Sequence, residues 1–399
     1  MRRSLLAACL VGAVCAAPAA QGTFPLQRKM PDPNAMPALT MGRRYVRAQE
    51  APGQEPTGVP KAAAGSRGFF LLRIGDQSRW AAYVPGERPQ LLVDTDGDGD
   101  LSDETPLPDK ASGNTADFGT VSVTLKDGAT STVRLQGMGQ KAGAPPRYLL
   151  LAPGDCRMGT VTLAGQSYAV ALVDGNMNGR YNDAFDGTLN YRNLDGLGID
   201  LNGDGTFAPP HGVEGPFEVT PLGTRVRVGE VFYHVTPAAD GSSVTLEAVE
   251  PGVGTLDLGA PGATLLAYSD YGISPATAGP DGTVRLSAGR YAVLRLTLSK
   301  ADPSDVVWQL TMTQPSASLE SLEIRKGHTH RIPVGPPLVA EVDVQQSERL
   351  ARLNLMLRGA AGERYVPGVR KGQRRTPPPS FEILGDDDKT LHTGKFEYG

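Results

Sequence analysis

Three segments of the chain place carboxylates and amides at alternate positions. The first is Asp94-Thr95-Asp96-Gly97-Asp98-Gly99-Asp100, followed by Leu101, Ser102, Asp103 and Glu104. The second is Asp174-Gly175-Asn176-Met177-Asn178-Gly179-Arg180, followed by Tyr181, Asn182 and Asp183. The third is Asp200-Leu201-Asn202-Gly203-Asp204-Gly205-Thr206, followed by Phe207. All read Asp-x-Asp/Asn-x-Asp/Asn-Gly. A hard cation such as Ca²⁺ takes about six to eight oxygen ligands at roughly 2.3–2.6 Å. A tightly wound chain brings side chains at positions 1, 3 and 5 to one point and adds the carbonyl at position 7. Glycine at position 6 permits the sharp bend.

The candidate ligands are therefore Asp94, Asp96, Asp98, Asp100, Asp103 and Glu104 in loop 1. In loop 2 they are Asp174, Asn176, Asn178, Arg180 (through its carbonyl) and Asp183. In loop 3 they are Asp200, Asn202, Asp204 and Thr206. Asp-Gly and Asn-Gly also serve ordinary tight turns, but a register shared by three loops favours cation binding. Leu92-Val93-Asp94 matches Leu172-Val173-Asp174, so loops 1 and 2 read as two copies of one strand-loop unit and loop 3 as a shorter relative. The segments resemble EF-hand and dockerin-type calcium loops over about ten residues each. They depart from the EF-hand in their strand-like flanks and at position 12, which is Thr105, Phe185 or His211 rather than Glu. Asp103 or Glu104 is the substitute in loop 1, and Asp183 or Asp186 in loop 2. Loop 3 has only Glu214 nearby, so affinity is expected to fall from loop 1 to loop 3.

The surrounding elements read as strands. The chain has 399 residues with 49 Gly and 33 Pro, which implies many short elements separated by turns. Runs such as Phe69–Ile74, Trp80–Val84, Tyr168–Val173 and Val244–Val249 support an all-β fold. The architecture expected is tandem β-sandwich or barrel modules with strand-flanked calcium-type loops.

Residues 1–20 read as a signal peptide, with Arg2 and Arg3 ahead of an apolar run and small residues near Ala20. Residues 21–66 read as a Pro/Gly-rich linker, 67–250 as a β domain carrying the three loops, and 251–315 and 316–399 as two further sandwich modules. No later stretch is long and apolar enough to span a membrane. The expected location is therefore secreted, periplasmic or at the cell surface, with a lipoprotein anchor at Cys9 or Cys15 less favoured. Once the signal is removed, Cys156 is the single cysteine and excludes an internal disulfide.

A net charge of −4 argues against nucleic acid as a general partner. The stretch Arg364, Arg370, Lys371, Arg374 and Arg375 offers contact with an anionic envelope polysaccharide, although a solvated loop is the simpler reading. His328 and His330 read as a solvated pair at a strand start.

The segment Asp281-Gly282-Thr283-Val284-Arg285-Leu286-Ser287-Ala288-Gly289-Arg290-Tyr291-Ala292-Val293 resembles the carboxypeptidase-regulatory, transthyretin-like β-sandwich module. That resemblance implies a structural or appended module without catalytic residues. The signatures of serine hydrolases, zinc peptidases and P-loop enzymes are absent from the sequence. The expected function is that of an exported, non-enzymatic calcium-binding protein of structural or interaction type. The alternatives are a carbohydrate- or envelope-binding protein and a hydrolase with an unrecognised site.

Overall fold

Short apolar runs cut by glycine and proline give an all-β fold, with one helical turn among the described residues. The computed structural model describes all residues except 1–21, 31–41, 50–55, 61–67, 111–114, 140–143, 189–193, 209–216, 348–349, 366–367 and 398–399. The expected signal peptide lies outside the described residues.

The segment read as a linker instead carries three strands: β1 (Gly22–Pro25), β2 (Gln27–Lys29) and β3 (Arg44–Arg47). Each pairs with a strand from later in the chain. Pairing satisfies their backbone groups, and Leu26, between β1 and β2, is buried in a core.

The first sandwich has two sheets. A meander of β4 (Gly68–Ile74), β5 (Gln77–Val84), β6 (Gln90–Val93) and β7 (Leu107–Pro108) forms one. The other contains β8 (Ala116–Thr124), β9 (Thr130–Met138) and β10 (Tyr148–Pro153), with β3 along the outer side of β10. Phe70, Leu72, Tyr83, Leu91, Phe118, Val133 and Leu149 fill the space between them.

The second sandwich repeats the plan. One sheet is the meander β11 (Cys156–Leu163), β12 (Gln166–Val173), β13 (Gly196–Ile199) and β14 (Val219–Pro221), with β2 along β11. The other is β15 (Arg225–Val228), β16 (Val231–Pro237) and β17 (Ser243–Val249), with β1 along β17. Its core is separate from the first and includes Val161, Leu172, Leu197, Tyr233 and Leu246. The span 67–250 is thus two sandwiches rather than one β domain. Cys156 is fully buried, and burial pushes its thiol up to about 12, so it stays protonated and unreactive.

The third unit merges the two modules expected at 251–315 and 316–399. It contains β18 (Val253–Asp257), β19 (Thr264–Ser269), β20 (Gly272–Thr277), β21 (Thr283–Ser287), β22 (Gly289–Ala301) and β23 (Val307–Gln314). The turn α1 (Ala317–Glu320) precedes β24 (Leu322–Ile324) and β25 (Thr329–Arg331). Then come the long hairpin β26 (Val339–Ser347) and β27 (Leu350–Arg358), and the short β28 (Arg364–Tyr365), β29 (Arg370–Lys371) and β30 (Arg374–Arg375). A last hairpin, β31 (Ser380–Leu384) and β32 (Thr390–Lys395), turns at Asp386-Asp387-Asp388. One core runs from Leu256 to Tyr365 across the expected boundary, because β24 pairs with β22 and β25 with β18. Among the described residues, none of the sheets closes into a barrel.

Leu26 separates the linker and strand readings. Replacing a buried leucine by alanine costs about 2–5 kcal/mol, whereas exposed linker positions change stability by less than ~0.5 kcal/mol. Denaturant unfolding of Leu26→Ala is expected to show a loss in the first range.

Candidate metal centre

The three acidic loops share one backbone design. Position 4 has positive φ in each: Gly97 at 91°, Met177 at 59° and Gly203 at 76°. Position 6 does too: Gly99 at 81°, Gly179 at 77° and Gly205 at 80°. The side chain at position 3 accepts from the N–H of position 5, at 3.2 Å in loop 1, 3.0 Å in loop 2 and 2.8 Å in loop 3. Position 5 likewise accepts from position 7, at 2.7, 2.8 and 2.8 Å. Position 8, which is Leu101, Tyr181 or Phe207, is buried and anchors the exit of each loop.

Position 1 is a buried carboxylate in all three loops, with Asp94 at 3%, Asp174 at 4% and Asp200 at 4% exposure. Each accepts backbone N–H groups from its own loop. Asp94 accepts from Gly97 at 2.6 Å. Asp174 accepts from Asn178 and Gly179 at 3.0 and 2.8 Å. Asp200 accepts from Gly203, Asp204 and Gly205 at 2.7, 3.2 and 2.9 Å. Burying a carboxylate is tolerable only with such donors or a counter-charge.

A second carboxylate closes each loop at the backbone N–H of position 2. In loop 1 it is Glu104, which accepts from the N–H of Thr95 and, at 2.8 Å, from its hydroxyl. In loop 2 it is Asp195, which accepts from Gly175 at 3.1 Å and from Asp183 at 2.7 Å. In loop 3 it is Glu218, which accepts from Leu201, Asn202 and Ala208 at 3.1, 3.2 and 2.7 Å. Asp195 and Glu218 escape a reading based on loop spacing because each belongs to the next stretch of chain. Glu214 and His211 lie outside the described residues. Asp186 does not close loop 2; it caps Thr188 locally.

Topology pairs loop 1 with loop 3, rather than with loop 2 as Leu-Val-Asp suggested. Loops 1 and 3 both leave the third strand of a meander, and loop 2 leaves the second strand of its own. The N–H of Asp94 donates to Trp80 O at 2.9 Å, and that of Asp200 to Ala169 O at 3.0 Å. Trp80 and Ala169 occupy the same place in β5 and β12, four residues into Gln77-Ser78-Arg79-Trp80 and Gln166-Ser167-Tyr168-Ala169. Loops 1 and 3 also share glycine at positions 4 and 6. Loop 2 is an insertion where the first sandwich has only the β5–β6 connection.

Electrostatics separate the loops. Among the described residues, Asp94, Asp96 and Asp98 form the one group of three carboxylates whose ligand oxygens lie within 4.8 Å of one another. Burial pushes the Asp94 carboxyl up, against the opposing pull of the Gly97 N–H and the Arg79 guanidinium. Arg79 is buried beneath the loop, donating to Gln77 Oε1 at 2.7 Å and Thr124 O at 2.8 Å. A side chain at Gly97 would meet its guanidinium at 2.1 Å, so that position demands glycine for space as well as for φ. Asp100 is held below the ordinary carboxylate range, first by the Ser102 N–H. Asp103 is exposed and stands outside the group of three.

Loop 2 is built into a module boundary. Met177 is fully buried in the core of the first sandwich, while Tyr181 is buried in that of the second. Gly75 N–H donates to Asn176 O at 3.2 Å, Arg44 reaches the same carbonyl at 3.2 Å, and Arg180 pairs with Asp127 at 2.9 Å. The side chain of Arg180 is thus engaged with Asp127, which leaves its carbonyl as the group available to an ion. Asp183 accepts from the amides of Asn176 and Asn178 at 2.9 and 2.7 Å, so the loop's inward charge already has donors. Asn176, Asn178 and Asp183 line a polar cleft of about 490 Å³ together with Arg73 and Lys126.

Elsewhere, His330 Nε2 accepts from Arg325 N–H at 3.1 Å, which fits a structural role. Lys371 lies over the Trp308 ring at 4.8 Å from its centroid. No protein-family model, curated protein or solved structure matches this chain.

Asp174 generates a pH prediction. Burial pushes its carboxyl up to about 7, although backbone donors oppose the shift. A carboxyl whose folded value lies above its unfolded value contributes stability that is fully present below the unfolded value, near 3.8, and is lost as pH rises through the folded one. In chelator, stability therefore falls between pH 4 and 8 from this group, and Asp174→Asn flattens that part of the profile. Urea unfolding of both proteins across this range checks it.

Proposed function

We propose that the chain is an exported calcium-binding β protein of structural or interaction type, in which ions brace the acidic loops of its first two sandwiches. The observation that carries this reading is the convergence of Asp94, Asp96 and Asp98 within ligand distance of one another, on a loop wound as a cation loop is wound. Three carboxylates so close repel one another strongly in the absence of a cation. Arg79 offsets part of the Asp94 charge and leaves Asp96 and Asp98 exposed to solvent.

Loop 3 supplies the equivalent site in the second sandwich. Asp200, Asn202 and Asp204 take the places of Asp94, Asp96 and Asp98, and Glu218 takes the place of Glu104. Loop 2 is the weakest of the three for Ca²⁺, because Asp183 is already bonded to the two asparagine amides that would have to turn their oxygens inward. Its main role in this reading is to hold the first sandwich to the second. Export is consistent with the basic and apolar N-terminus and with sites of the extracellular affinity class, whose Kd is roughly 10⁻⁴–10⁻³ M. No helix among the described residues is long and apolar enough to cross a membrane.

At free Ca²⁺ ten times Kd, each site adds about 1.4 kcal/mol to stability. Thermal melts of chelator-stripped protein should therefore rise by several degrees in millimolar Ca²⁺. Asp96→Asn with Asp98→Asn should remove part of the rise, and Asp204→Asn a further part. Mg²⁺ should be a poor substitute, because it needs a tighter octahedral shell. An unchanged melting temperature at all Ca²⁺ concentrations would contradict the reading.

A further inference from the structure

The third unit sets like charges against each other across neighbouring strands. Arg358 of β27 stands opposite Arg364 of β28, Arg370 of β29 opposite Arg375 of β30, and Lys371 opposite Arg374. All of these residues are exposed. Like charges directly opposite each other destabilise a sheet. Glu341 answers Arg358, and Asp302 lies 3.8 Å from Lys371. Among the described residues, Arg364, Arg370 and Arg374 have no carboxylate partner.

Register gathers much of this charge on one face of the ten-stranded sheet. Leu296, Leu310, Met312 and Tyr365 are buried in the core, so their neighbours along β22, β23 and β28 point away from it. Ser299 pairs with Gln309, Gln309 with Arg370 and Arg370 with Arg375, which sets these four in one row on the outer face. Further along β23, Gln314 pairs with Arg364, and Arg364 with Arg358. Thr297 and Thr311 lie between the two rows with their hydroxyls 3.4 Å apart, and Gln309 donates to Ser299 at 3.5 Å. Arg295, two residues before Thr297 on β22, adds an exposed guanidinium to the same face. The carboxylates of this face, Glu341 and Asp343, are confined to the end strand β26.

The array selects its ligand by charge and by spacing. Guanidinium forks match the two oxygens of a carboxylate. The Arg370 and Arg364 rows stand roughly 15 Å apart along β23, which one small anion cannot span and a polymer with repeated anionic groups can. Between them, hydroxyl and amide groups that both donate and accept suit the hydroxyls of a sugar. Trp308 and Tyr365 stand on the opposite face of these strands, which removes the stacking platform that single-stranded nucleic acids use.

We propose that this sheet face binds a carboxylated, anionic polysaccharide, with Arg370 and Arg375 on one carboxylate, Arg364 on another, and Thr297, Thr311 and Gln309 on the hydroxyls between them. The proposal is independent of calcium binding by the acidic loops.

Calorimetric titration of the full chain with polygalacturonate tests it, in chelator so that calcium cannot bridge the polymer to the acidic loops. The wild type is expected to bind, to release the polymer as salt is raised, and to ignore neutral dextran. Arg370→Glu turns a like-charged cross-strand pair into an opposite-charged one, so the melting temperature should hold or rise while affinity falls about 10-fold or more. Arg88→Glu, exposed in the first sandwich, changes the net charge equally and should leave affinity unchanged. Polyglutamate, which carries carboxylates without sugar hydroxyls, should bind more weakly at equal charge. Absence of polygalacturonate binding at low salt, or an equal loss in Arg88→Glu, would overturn the proposal. So would equal or tighter binding of polyglutamate, single-stranded DNA or anionic phospholipid vesicles.

Discussion

A buried carboxylate begins each acidic loop, and the two N-terminal sandwiches are organised around it. Asp94, Asp174 and Asp200 are almost wholly withdrawn from solvent, each at the end of an apolar strand. Such a charge needs donors around it, and the chain supplies them by winding its next turn so that backbone N–H groups point back at the carboxylate. That winding forces positive φ at positions 4 and 6, and in loop 1 it brings Asp94, Asp96 and Asp98 together. The loop form therefore follows from the burial of position 1, and in loop 1 the gathering of carboxylate oxygens follows from the loop form.

The same constraint shows that the first two sandwiches are two versions of one design. In each, a four-strand meander with an acidic loop before its last strand faces a three-strand meander, completed by a strand from the N-terminal segment. Glu104 and Glu218 fasten equivalent loops. Loop 2 is an addition to the second copy, and its Met177 enters the core of the first. A non-glycine residue at positive φ is unfavourable by roughly 1–2 kcal/mol, which the burial of the methionine side chain in a foreign core offsets. The boundary between sandwiches is thus held by a loop that belongs to one and packs into the other.

Much of this was legible in the sequence. The all-β class follows from glycine and proline punctuating short apolar runs, and the loops from their Asp-x-Asp/Asn spacing. Other features were hidden by the physics that produces them. β1, β2 and β3 are three or four residues long, too short for alternation to be read, and they become strands only because later strands offer them an edge. Asp195 and Glu218 close their loops through tertiary approach, which spacing within a loop cannot encode. The match of Leu92-Val93-Asp94 to Leu172-Val173-Asp174 reflects strand burial alone. Glycine at position 4, shared by Gly97 and Gly203 but replaced by Met177, together with the Gln-Ser pairs at Gln77 and Gln166, carried the true correspondence.

In the proposed function, the carboxylates gathered in loop 1 and the matching Asp200, Asn202 and Asp204 of loop 3 receive Ca²⁺. Metal content after equilibrium dialysis of the stripped full chain against millimolar Ca²⁺ addresses it most directly. About two ions per chain are expected, with one lost in Asp94→Ala and one in Asp200→Ala. Calcium no higher than in the dialysis buffer, or content unchanged by either substitution, would contradict it.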